Sequence, residues 1–124
     1  MAIRDKIRDK AQSQLRPGEQ IQEVFAAQTA SQYLALLGWI VFLIVNNYRS
    51  IVVTDQRIVV FDSGKWAQGS PKEIVRELPR GTRVGPAQGL WYATGALGED
   101  LRIHKRFHKD IEAADAQASG APAA

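Results

Sequence analysis

The longest apolar stretch of the 124-residue chain is YLALLGWIVFLIV, Tyr33 to Val45, and it is followed at once by two Val/Ile-rich runs, YRSIVVT and RIVVFD. Left in water, the stretch would forfeit about 25 cal/mol per Å² of apolar surface, so a core, a partner or lipid must cover it. Thirteen residues wound as a helix reach about 20 Å, against about 30 Å for a hydrocarbon core. Extending the run back to Ala26 brings in Gln28, Thr29, Ser31 and Gln32, which weaken insertion. Both ends of the segment are therefore expected on one side of any membrane it meets.

The remaining periodicities predict the rest of the chain. Ile3, Ile7, Ala11 and Leu15 recur every fourth residue among Arg4, Lys6, Arg8 and Lys10, predicting an amphipathic helix over 1–16 that Pro17-Gly18 ends. An imperfect alternation over Glu19 to Ala27 allows a first strand without excluding a helix. Tyr48 to Thr54 and Arg57 to Asp62, joined by Asp55-Gln56, read as a β-hairpin. Ser63 to Lys72 holds two glycines and a proline and reads as a loop. Glu73 to Leu78 and Thr82 to Val84, separated by Pro79-Arg80-Gly81, read as short strands, and Gly89 to Thr94 with Asp100 to His104 as a last hairpin. Phe107, Ile111 and Ala114 fall on one face of a closing helix, and residues 118–124 read as a disordered tail.

The phrase Tyr48-Arg49-Ser50-Ile51-Val52-Val53-Thr54-Asp55-Gln56-Arg57-Ile58-Val59-Val60-Phe61, with its VTD-x-R turn between two Val/Ile strands, resembles the second and third strands of bacterial pleckstrin-homology-like (PH-like) domains. The element order over residues 19–117 is similar to that family as well. The resemblance implies an α+β fold, mainly β: a bent antiparallel barrel with a C-terminal capping helix, here preceded by the N-terminal helix and carrying the apolar insert, residues 33–45, between strands one and two. It implies a binding or scaffolding module, not an enzyme. The loop that carries basic residues in lipid-binding relatives is replaced here by Gln32 to Asn47, which has none.

Charge and composition narrow the chemistry. Sixteen Lys and Arg against thirteen Asp and Glu leave +3, too small and too dispersed an excess to point to nucleic acid. With no cysteine there is neither a disulfide framework nor a thiolate metal site. His104 and His108 have the spacing of a helical metal pair but lack a third imidazole, and Lys105, Arg106 and Lys109 read as a solvated helix face. No phosphate loop or nucleophile motif appears, so no cofactor, metal or catalytic residue is expected. The candidate contact residues are Tyr33, Leu34, Leu36, Leu37, Trp39, Ile40, Val41, Phe42, Leu43 and Ile44, with Tyr48, Arg49, Lys65, Trp66 and Lys72 at the lipid surface. A charged N-terminus without a cleavable apolar region is the start expected of a cytosolic protein. The expected partner is membrane lipid at the inner face of the cell membrane. The other reading is a soluble protein whose apolar segment is buried against identical subunits or a protein partner.

Overall fold

The computed structural model describes residues 3–29, 38–40, 46–64, 71–85, 91–99 and 101–118. Helix α1 (Ile3–Ala11) and a 3-10 turn (Gln12–Gln14) lead into β1 (Ile21–Gln28), β2 (Tyr48–Thr54), β3 (Arg57–Gly64), β4 (Glu73–Pro79), β5 (Trp91–Thr94) and β6 (Leu101–His104). A second 3-10 turn (Lys105–Phe107) then opens helix α2 (His108–Ala118). The strands form one antiparallel sheet in the order β4-β3-β2-β1-β6-β5, curled into a half-barrel. The α+β architecture expected from the sequence is therefore present.

Burial explains why the strands are so rich in Val and Ile. Residues Ser50 to Thr54 on β2 and Arg57 to Phe61 on β3 are buried without alternation, so both faces of these strands are covered. Helix α1 packs against β1 and β2 with Ile7 and Ala11 fully buried, and α2 packs against β1 with Ile111 and Ala114 in the same core. The two helices are tied together where they meet. The Arg4 guanidinium donates to Asp110 (Nε to Oδ2 3.0 Å, Nη2 to Oδ2 2.7 Å) and to the Arg106 carbonyl at 2.7 Å, and its Cζ lies 5.1 Å from the centre of the Phe107 ring.

Thr82 to Val84, expected as a strand, is not one. The Val84 and Gly85 N–H groups donate instead to the two oxygens of Asp115 on α2, at 2.8 and 2.9 Å, and the Val84 carbonyl accepts from the Tyr92 hydroxyl at 2.8 Å. A side chain from the helix has taken the backbone donors that a neighbouring strand would have used. Next to this link, buried Arg80 donates to Gln22 Oε1 (2.9 and 2.7 Å) and to the Ala114 carbonyl (3.2 Å), joining the end of β4 to β1 and α2. The expected tail falls outside the described residues from 119 onward, whereas Ala118 ends α2.

Candidate functional site

The strand register gathers three connections at one end of the half-barrel. Gln28 is paired with Tyr48 and with Arg102, Tyr48 with Gly64, Asp62 with Glu73, and Thr94 with Leu101. The chain therefore leaves β1, β3 and β5 at the same end, and the apolar insert emerges there. Its base is closed: the Thr29 N–H donates to the Asn47 carbonyl and the Asn47 N–H to the Thr29 hydroxyl, both at 2.9 Å. The two ends of the connection between β1 and β2 are therefore held together at a single neck.

Three residues of the insert are described. Gly38 precedes a helical Trp39-Ile40, and these two side chains are 68% and 57% exposed, outside the apolar core altogether. Tyr33 to Leu37 and Val41 to Val45 lie outside the described residues, as do Lys65 and Trp66. Among the described residues no helix is long and apolar enough to cross a membrane.

At this same end of the sheet sits a quartet of charges that the sequence did not bring together. Arg49 on β2 donates to Asp62 on β3 (Nη1 to Oδ1 2.9 Å) and to Glu99 in the β5–β6 turn (Nε to Oε2 3.2 Å), and Arg76 on β4 pairs with the same Glu99 oxygen. Asp62 also accepts from the Gly64 N–H at 3.1 Å. Arg49, expected at a lipid surface, is thus paired with two carboxylates. Tyr48 is half-buried beside it, and Lys72 is exposed, its N–H held by the Asp62 carbonyl at 2.8 Å and its carbonyl by Gln14 at 2.8 Å. Of the five expected lipid-surface residues, the structure therefore places Tyr48, Arg49 and Lys72 at the end from which the insert emerges.

The turn carrying Glu99 depends on Gly98, whose φ is +94° and whose missing Cβ would stand 2.9 Å from Arg76 Cδ. Only glycine takes this backbone conformation without strain while leaving room for the arginine. Gly98→Ala is expected to cost about 1–3 kcal/mol in urea unfolding, mainly by displacing Glu99 from the quartet.

At the opposite end, a second cluster went unread. Glu19 receives Arg57 in a bidentate pair (Nε 2.9 Å, Nη2 3.0 Å), the Thr54 hydroxyl at 2.6 Å and the Arg16 N–H at 2.9 Å, while Arg57 Nη1 reaches Glu77. The available signal was an arginine opening an apolar strand, which requires a buried partner. The turn itself is pinned to β1 by Asp55, which accepts from the Gln20 N–H and donates its own N–H to the Gln20 carbonyl, both at 3.0 Å.

His104 Nδ1 accepts from the Arg106 N–H at 3.1 Å, and its pKa is lowered by burial first, then by Arg106 and His108. His108 meets Tyr92 edge-on with ring centres 6.3 Å apart. Among the described residues no group of three or more His, Cys, Asp or Glu is placed to hold a metal ion. No family model, curated protein or solved structure matches the chain.

Proposed function

We propose that the chain is a non-enzymatic, PH-like binding or scaffolding module that attaches to the cytoplasmic face of a membrane by dipping its apolar insert into the lipid. The observation that carries this reading is the exposure of Trp39 and Ile40 on an insert that leaves and re-enters the sheet through one closed neck. A core element would have buried these side chains. Seventeen residues wound as helix measure about 25 Å in all, so an excursion that must also return reaches only about half that depth. The insert is thus suited to the interfacial layer and one leaflet, with the folded sheet remaining on one side.

Support for a PH-like fold comes from the sheet order, a four-strand meander joined through its first strand to the final hairpin, with the C-terminal helix packed on that first strand. Flotation with lipid vesicles, together with mass measurement without detergent, tests the function. The expected outcome is co-flotation of the full chain and a detergent requirement for a single well-defined mass. A discrete oligomer in plain buffer that does not float would assign the insert to a subunit interface instead.

A further inference from the structure

Resting on the membrane reading, we infer that the loop end takes the apolar interior of the bilayer as its ligand and is indifferent to headgroup charge, so that a zwitterionic membrane suffices. The basis is the charge balance around the neck. Among the described residues this end of the sheet carries Arg49, Lys72, Arg76 and Arg102 with Asp62, Glu73 and Glu99, a surplus of one positive charge. Two of the four cations are held in direct ion pairs: the Arg49 side chain is only 16% exposed, and Arg76 shares Glu99 with it. Arg49 and Arg76 set against Asp62 and Glu99 make a quartet with no net charge, and so with little field to attract a phosphate.

Each uncompensated cation near an anionic leaflet is worth about fivefold in affinity, so the surplus here supplies one such factor. Two large exposed apolar side chains supply far more when lipid covers them. At the neck the Thr29 and Asn47 N–H groups are used on each other and not turned toward a ligand. Apolar insertion therefore sets the affinity, and the ion pairs keep Arg49 and Arg76 from imposing a lipid preference.

The test is vesicle flotation of the full chain with pure phosphatidylcholine, and with one-third phosphatidylserine, at low salt and at 0.5 M salt (about 4 Å screening length). Expected are affinities within about tenfold of each other for the two compositions, and a salt effect smaller than about threefold on phosphatidylcholine. The double variant Lys65→Gln, Lys72→Gln is expected to retain binding to phosphatidylcholine. Glu99→Gln, which releases charge on Arg49 and Arg76, is expected to raise affinity for the anionic vesicles alone by about fivefold. Binding confined to anionic vesicles and abolished by salt overturns this inference while leaving membrane attachment standing. No binding to either composition overturns both.

Discussion

Glu19→Ala is expected to lower the unfolding free energy by about 3–5 kcal/mol, the cost of leaving one member of a buried ion pair without its partner. The Glu19 carboxylate is almost wholly buried and fills its acceptor sites with Arg57, Thr54 and the Arg16 N–H. Without it, Arg57 remains inside the strand with only Glu77, whose side chain is half in water. The same cluster sets an acid limit. Burial alone would push the Glu19 pKa up, but hydrogen bonds from Arg57, Thr54 and the Arg16 backbone override it and hold it at about 2 against an ordinary 4.5.

A folded-state pKa below the unfolded value means stability that is fully present above pH 4.5 and is lost as the pH falls through 4.5 toward 2. The amount is about 3 kcal/mol. Urea unfolding at pH 7, and again stepwise from pH 5 to 2.5, should show both effects. In the Glu19→Ala protein the added acid sensitivity of that window should disappear. A variant within about 1 kcal/mol of the parent, or one with an unchanged acid slope, would show that the pair contributes no net stability.

The strands β2 and β3 were legible because Val and Ile at nearly every position leave few other conformations, and the Asp55-Gln56 turn fixes their pairing. Helix α2 and the 3-10 turn that opens it were legible from Phe107, Ile111 and Ala114, all of them buried as the spacing required. What could not be read were contacts joining residues far apart in sequence. Arg49 meets Glu99 across 50 positions and Arg57 meets Glu19 across 38, and nothing local marks either carboxylate as a partner. Thr82 to Val84 failed for a related reason: its strand-like composition was overruled by Asp115, a side chain some 30 residues away. At the end from which the insert emerges, Arg49 was legible as a cation but its pairing with Asp62 and Glu99 was not, because charge is legible one residue at a time and neutralisation is not.

The central claim, that the insert attaches the protein to lipid, is tested most directly by the double variant Trp39→Ser, Ile40→Ser. Neither side chain belongs to the core, so the fold should be unaffected, with unfolding free energy within about 0.5 kcal/mol of the parent. Each apolar side chain covered by lipid contributes about 1.5–3 kcal/mol, so the pair should weaken vesicle partitioning by about a hundredfold or more. Partitioning equal to that of the parent, in a variant that unfolds at the same urea concentration, would contradict the account.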